Sequence, residues 1–410
     1  MNIVFRLAWR NLWRHTRRTW LTTGAMIFSN ALLVFMIALQ LGAYDLMIDN
    51  SLKAFTGHVQ VQAPGYLDDG KMRQAIPDVA SLAAALRAEL GTDRVAARAA
   101  GFALASSEDR SYGVAVYGVE PQFEPGVSSI PGLVSAGRYL EPGGAPEIVI
   151  GEVLARNLKV QVGDELTLLG SGLDGSFAAA VVTVAGVFSS GIAQIDRGVA
   201  ELPLALFDDV YYMNGAGHQV VVNAPAIGQA EELRAAVADF VSAARPDLVV
   251  HDWDALEPGL RQAIRADMSS AFFMYGVLVV LVAFSVLNTQ LMSVLERTRE
   301  FGIVLALGLR PGRLGRLVLL ETALMGLLGL VIGAFLGALV VLYFNAAGFS
   351  YPGMEEMAAK FNLPASIYPS VSLLPIVAGP SVVFVFTILA ALYPAQRLYR
   401  LQPVDAMRAA

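Results

Sequence analysis

The sequence contains no cysteine. A disulfide framework, a thiolate-bound metal and a cysteine nucleophile are therefore all excluded, while the redox compartment stays open. Histidine is almost as scarce: the four residues His15, His58, His218 and His251 lie too far apart in sequence to form a metal-binding motif. Charged residues make up only 16% of the chain, against roughly 25% in an average soluble domain. No G-x-x-x-x-G-K-[ST] run occurs, so the chain has no recognisable phosphate-cradling loop, and neither G-x-S-x-G nor H-E-x-x-H is present. A net charge of −6 and a pI near 5.3 argue against a nucleic-acid partner. What fills the 410 residues instead is apolar: 55% are hydrophobic and the mean hydropathy is +0.55. That balance excludes a wholly soluble protein and a disordered one.

The apolar residues are concentrated in four places. Trp20 to Tyr44 is an uncharged run of 25 residues, about 37 Å long as a helix against a hydrocarbon core of about 30 Å. Its length exceeds that of a signal-peptide apolar region, and no small-residue cleavage pattern follows it. Met268 to Leu295 is uncharged over 28 residues. A third segment carries one acid, Glu321, close to its start, and the fourth contains Pro375 and Pro380. We read membrane spans at 20–44, 268–293, 317–344 and 372–395.

Charge then sets the orientation. Segment 1–19 holds five arginines (Arg6, Arg10, Arg14, Arg17, Arg18) and no acid. Segment 294–316 holds five arginines and two glutamates, and segment 396–410 holds Arg397, Arg400 and Arg408 with Asp405. By contrast, 45–267 holds 15 basic and 29 acidic residues, and 345–371 holds Glu355, Glu356 and Lys360. The positive-inside rule places both termini and 294–316 in the cytoplasm and the large segment outside.

Segment 45–267 is too long for a loop and must fold as a domain. Its patterns are mixed. Strands are expected at His58–Ala63, Tyr112–Val119, Glu147–Gly151, Glu165–Leu169, Ala180–Phe188 and Gln219–Asn223. Helices are expected at Val79–Leu90, with Asp78 as candidate N-cap, and at Leu204–Met213 and Ile227–Ala243. A helix over Trp253–Ala266 should feed the second span. The fold class is therefore an α-helical membrane protein with four transmembrane helices and a large α+β domain between the first and second. None of the acidic residues falls in a pattern that marks a catalytic site.

The run Glu296-Arg297-Thr298-Arg299-Glu300-Phe301-Gly302, continuing to Ala306 and Gly308, resembles the E-R-x-R-E-x-G-x-x-x-A-x-G signature of MacB/FtsX-type ABC transporter permeases. Leu7-Ala8-Trp9-Arg10-Asn11-Leu12 followed by Arg17-Arg18-Thr19 is similar to that family's amphipathic N-terminus. Tyr393-Pro394-Ala395-Gln396-Arg397 with Leu401-Gln402-Pro403-Val404-Asp405-Ala406-Met407-Arg408 is similar to its C-terminal ending. Ile148–Glu152 and Val162–Leu166 resemble its periplasmic domain, and Glu321 followed by Gly326, Gly329, Gly333 and Gly337 resembles its third span. Val184-Ala185-Gly186-Val187-Phe188-Ser189-Ser190-Gly191 with Asp196 resembles the lipoprotein-releasing (LolC/LolE-like) permeases in particular. The sequence departs from that pattern where one permease of the pair carries a hook for its carrier. Here stands only the short Gly170–Ser176, without prolines.

The resemblance implies a bacterial inner-membrane permease subunit with its large domain in the periplasm. It implies no cofactor on this chain, with ATP and Mg on a separate cytoplasmic ABC ATPase dimer. It further implies a second permease copy, identical or not, contact with membrane lipids, and a periplasmic carrier, adaptor or effector. Its mechanism is mechanotransmission, in which ATP hydrolysis moves the periplasmic domains to extract a lipoprotein or other hydrophobic substrate. The alternatives are MacB-like efflux of small molecules or peptides and an FtsX-like transducer that transports nothing. On this footing 294–316 is a cytoplasmic coupling helix, with Glu296, Arg297, Arg299, Glu300, Phe301 and Gly302 as ATPase-coupling residues. Gly329, Gly333 and Gly337 recur every fourth residue and so share one helix face, a pattern suited to close helix packing. Met36, Leu39, Phe272, Phe273 and Met274 offer an adaptable apolar face for acyl chains.

Overall fold

The computed structural model describes residues 3–14, 16–361 and 364–399. The C-terminal motif from Leu401 to Arg408 lies outside them. The chain divides into two compact units, a helical one (1–44, 264–350 and 366–410) and a sheet-containing one (45–263 and 351–365).

Among the described residues the helical unit contains four helices long and apolar enough to cross a membrane: a first (Thr16–Ser51), a second (Pro258–Glu296), a third (Pro311–Ala347) and a fourth (Leu373–Tyr399). Each extends past the apolar run that marks it in sequence, because hydropathy reports the lipid-soluble part of a helix and not its hydrogen-bonded ends. The first helix passes from the helical unit into the sheet unit at Asp45, and the second passes back at Ile264. Pro375 lies in the first turn of the fourth helix, where its missing N–H costs no intrahelical bond. Pro380 sits inside that helix and is buried. An amphipathic N-terminal helix (Ile3–Arg14) packs on the third helix through Ala8 and Leu12. The bundle core joins Met26 and Leu33 of the first helix to Val279, Val282 and Val286 of the second and Val383 of the fourth.

The glycines of the third helix set its distance from the first. A Cβ on Gly329 would stand 2.7 Å from Met26 Cβ, one on Gly333 2.6 Å from Asn30 Cβ and 2.9 Å from the Ile27 carbonyl oxygen, and one on Gly337 2.7 Å from Val34 Cβ. Only hydrogen fits along this seam, so the backbones approach closely and gain van der Waals contact that lipid cannot replace.

The sheet unit holds ten strands: β1 (Val59–Gln62), β2 (Val95–Ser106), β3 (Ser111–Val119), β4 (Val134–Gly137), β5 (Glu147–Gly151), β6 (Glu165–Ser171), β7 (Phe177–Phe188), β8 (Val199–Pro203), β9 (Gln219–Val222) and β10 (Val249–Asp252). Their order is β10-β1-β9-β2-β3-β8-β5-β7-β4, with β6 bridging β2 and β7. That bridge closes β2-β3-β8-β5-β7-β6 into a ring. The ring is filled by small and branched side chains, among them Ala103, Ala105, Val116, Ile148, Ile150, Leu168 and Val182, together with Phe207 and Tyr211, whose rings stack on each other at 4.2 Å. Closure pairs each ring strand on both sides over part of its length. A second core lies where helices Val79–Leu90 and Ala230–Ala244 cover β1 and β9, through Leu82, Leu86, Val237 and Val241 against Val59, Val61, Val220 and Val222.

Two expectations are corrected. Asp78 does not cap the helix at Val79: it has a left-handed backbone (φ 51°) and makes no cap hydrogen bond. Its carboxylate accepts from the Ser81 hydroxyl at 2.8 Å, while the Val79 N–H donates to the Gly215 carbonyl. The helix expected over Trp253–Ala266 is broken at Glu257, and a new one starts at Pro258; Asp252 caps the short first piece by accepting from Ala255 N at 3.0 Å.

Candidate functional site

The segment between the second and third helices is not one helix over 294–316 but three pieces. The second helix ends at Glu296, a short connecting helix runs Thr298–Ala306, and the third begins at Pro311. The local sequence explains the breaks. Arg297 leaves helical geometry (φ −96°, ψ 7°), Gly308 takes a positive φ of 93° that side chains avoid, and Pro311 is pre-set for a helix start.

Arg297 is the pivot. Its guanidinium is nearly buried and donates from Nη1 to both oxygens of Glu321, at 3.0 and 3.3 Å. Glu321 also accepts from Asn11 Nδ2 of the N-terminal helix at 2.6 Å. The Arg297 guanidinium stands 4.9 Å over the Phe301 ring, and its Nε lies 3.6 Å from Glu300. Phe301 and Leu305 then bury with Val294, Leu314, Val318 and Leu398. So the lone acid of the spans is held by an arginine 24 positions earlier and by the N-terminal helix. Of the sequence-derived coupling residues, Arg297, Phe301 and Gly302 face inward and clamp the connecting helix to the bundle.

Glu296, Arg299 and Glu300 are on the exposed side with Ile303 and Leu307, which are 49% and 83% exposed. At 100° per residue Arg299, Glu300, Ile303 and Leu307 share one face of the connecting helix, while Glu296 ends the second helix before the break at Arg297. The outcome is a rigidly mounted helix that presents one carboxylate, one guanidinium and two aliphatic side chains. Arg14 approaches Glu300 at 3.7 Å, with both side chains at least half exposed.

At the other end of the same bundle, Phe272, Phe273 and Met274 point out of the second helix, 63%, 77% and 60% exposed. Met36 and Leu39 of the first helix are only partly exposed. At this level the two helices are tied by a polar network that the sequence did not reveal. Gln40 Nε2 and Tyr44 Oη both donate to Asp267 Oδ2, at 2.8 and 2.7 Å, and Tyr275 Oη donates to Gln40 Oε1 at 2.6 Å. The only signal was the placing of polar residues at the rims of two apolar runs.

In the sheet unit, Asp196 proves to be a turn anchor. It is buried and accepts from the Ser190 N–H at 2.7 Å and the Ser190 hydroxyl at 2.6 Å. Gly170–Ser176 closes the β6–β7 hairpin, with Gly172 N bonded to Ser176 O and Gly175 at φ 85°. A buried charge cluster was missed by sequence. Arg98, Glu124 and Glu201 are all inaccessible; Arg98 forms an ion pair with Glu124 and donates to the Phe55 carbonyl at 2.6 Å, and Tyr139 Oη donates to Glu201 Oε2 at 2.6 Å. Burial, then the neighbouring Glu124 charge, pushes the Glu201 carboxyl up to about 8. Among the described residues no group of three or more His, Asp or Glu side chains is placed to hold a metal ion.

Two family models match the chain: a MacB-like periplasmic core domain over residues 19–240 and an FtsX-like permease C-terminal region over 272–403. The lipoprotein-releasing system transmembrane protein LolC of Xylella fastidiosa is 26% identical over 308 residues, covering 71% of this chain and 72% of its own. LolE of Haemophilus influenzae is 27% identical, covering 72% of each chain. The macrolide export ATP-binding/permease protein MacB of Neisseria gonorrhoeae is 30% identical over 122 residues, 30% of this chain and 16% of its own. With the periplasmic core model spanning more than half of the sequence and the permease model covering the last three long helices, the chain belongs to the MacB/FtsX family of ABC transporter permeases.

Proposed function

We propose that this permease transmits the ATP hydrolysis of a separate cytoplasmic ATPase to its periplasmic unit, and that the work done there is the release of a lipid-anchored protein from the membrane. The observation that carries the reading is the connecting helix: an exposed mixed face, fixed from behind by the buried Arg297–Glu321 pair. A push on that face acts on the ends of the second and third helices together, because the clamp leaves no slack. The second helix runs unbroken from Pro258, inside the sheet unit, to Glu296 beside the clamp. A helix is stiff along its axis, so such motion passes as a rigid-body shift. The arginine-rich N-terminal and connecting segments support a cytoplasmic placing of this end and a periplasmic placing of the sheet unit, which follows the first span in sequence.

In this reading the chain binds no cofactor, ATP and Mg are held by the ATPase dimer, and two permease copies act together. Similarity to LolC and LolE over nearly three quarters of the chain favours a lipoprotein as substrate. Met36, Leu39 and Phe272–Met274 form its lateral access face. A second reading, efflux of small molecules or peptides, is favoured by the MacB-like core. The two separate on reconstitution of the permease with its ATPase in proteoliposomes. A triacylated peptide should stimulate ATP hydrolysis and leave the membrane in an ATP-dependent manner. Stimulation by a macrolide or by the unacylated peptide, with none by the acylated one, would overturn the lipoprotein reading in favour of efflux.

A further inference from the structure

The N-terminal helix carries three faces. One is buried: Ala8 and Leu12 lie against the third helix and Asn11 reaches Glu321. A second is cationic, with Arg6, Arg10 and Arg14 exposed at four-residue spacing along one stripe. Between them stand Trp9 and Trp13, 44% and 50% exposed, with their rings edge to face at 6.0 Å. The chain then turns into the first long helix, where Arg17 is exposed and Trp20 is 55% exposed. In this corner lies an apolar cavity of about 160 Å³ walled by Leu12, Trp13, Trp20, Leu328 and Ile332. Leu21 and Phe28, 70% and 69% exposed, extend the apolar surface along the first helix.

Each feature has a bland explanation alone, but their juxtaposition is specific. Tryptophan favours the boundary between headgroups and acyl chains. Arginine there meets phosphate with a planar fork of donors. An open apolar cavity beside them suits the first carbons of a chain. Among the described residues the stripe is of one sign, with acid only at its Arg14 end where Glu300 approaches, and it selects against a neutral headgroup.

We propose that this corner is a binding site for an anionic phospholipid of the leaflet in which the N-terminal helix lies. Its phosphate meets Arg6, Arg10 and Arg17, and one acyl chain enters the cavity between Trp13 and Trp20. A lipid held there braces the N-terminal helix, and through Asn11 it braces the Arg297–Glu321 clamp. The inference rests on the reading that the long helices cross a membrane.

The chain supplies its own reporter. Of its four tryptophans, three (Trp9, Trp13, Trp20) are at the site, and Trp253→Phe removes the fourth. The full-length W253F protein in nanodiscs of neutral lipid is titrated with brominated phosphatidylglycerol or brominated phosphatidylcholine at equal mole fraction. An anionic site predicts that phosphatidylglycerol quenches at a lower mole fraction, by about fivefold or more, since one arginine beside an anionic surface contributes about that factor. Replacing Arg6, Arg10 and Arg17 by Gln should abolish the preference while both lipids still quench, whereas replacement by Lys should retain it. Equal quenching of the W253F protein by the two lipids would overturn the proposal, as would a preference that survives the Gln variant. Absence of quenching by either lipid would overturn the membrane reading on which it rests.

Discussion

Removing the Arg297 side chain should do more harm than removing its partner. Arg297→Ala leaves the Glu321 carboxylate buried, its side chain 5% exposed, with Asn11 as its remaining hydrogen-bond donor. A buried charge stripped of its partner costs roughly 3–5 kcal/mol. Glu321→Ala leaves Arg297 beside Glu300 at 3.6 Å, and that carboxylate is half exposed and can partly take over. The expected cost is therefore lower, about 2–3 kcal/mol, nearer a hydrogen bond to a charged group. The pair Arg297→Met with Glu321→Leu should recover most of the loss, because apolar side chains of similar size replace buried ion pairs at little cost. Hydrogen exchange over 298–306 in the purified full-length protein reads this locally: each 1.4 kcal/mol speeds exchange through local opening about tenfold. Equal effects of the two single variants, or a double variant whose loss is the sum of the singles, would refute the clamp.

Three further predictions follow from the same geometry. Gly333→Leu places side-chain atoms against the Ile27 carbonyl and Asn30, so it should cost about 1–3 kcal/mol and lower the melting temperature in detergent, whereas Phe335→Leu on an exposed face should change it little. Asp267→Ala takes the shared acceptor from Gln40 and Tyr44; spin labels on the first and second helices at this level should then report a broader distance distribution, and an unchanged one would show that the network holds nothing. Glu201 binds a proton more tightly folded than unfolded, so its contribution to stability is full below about pH 4.5 and is lost as pH rises towards 8. Glu201→Gln should flatten that slope, worth on the order of 5 kcal/mol across the window; a slope identical to that of the unsubstituted protein would refute the assignment.

The parts legible in sequence were those set by local composition. Four apolar runs gave the four long helices, and Gly329, Gly333 and Gly337 declared a close-packing face, although not that the first helix lies against it. Val79–Leu90 appears with the expected bounds because its helical period and terminal Gly91 are local signals. Strand β2 was invisible for the opposite reason. Val95–Ser106 is rich in alanine and reads as no particular element, yet it pairs with β3, β6 and β9. Its alanines Ala99, Ala103 and Ala105 are buried in the ring interior, a tertiary setting that overrides propensity. The candidate site divided in the same way. Glu296–Gly302 stood out as a motif, but which members face outward depends on Glu321 reaching back to Arg297, a pairing that no local rule supplies. Arg98, Glu124 and Glu201 sit far apart in sequence and resembled ordinary surface charges.

The absence of cysteine makes the central claim directly testable, since every introduced thiol is unique. Leu307→Cys and Arg299→Cys place one on the exposed face of the connecting helix, and Phe301→Cys places one on its buried face. In membranes containing the whole complex, a short thiol-to-amine crosslinker should join positions 299 and 307 to the ATPase, with ATP changing the yield, and should leave position 301 unreacted. Crosslinks to the ATPase from 301 but not from 307, or from none of the three while the ATPase still copurifies, would contradict the coupling role assigned to this helix.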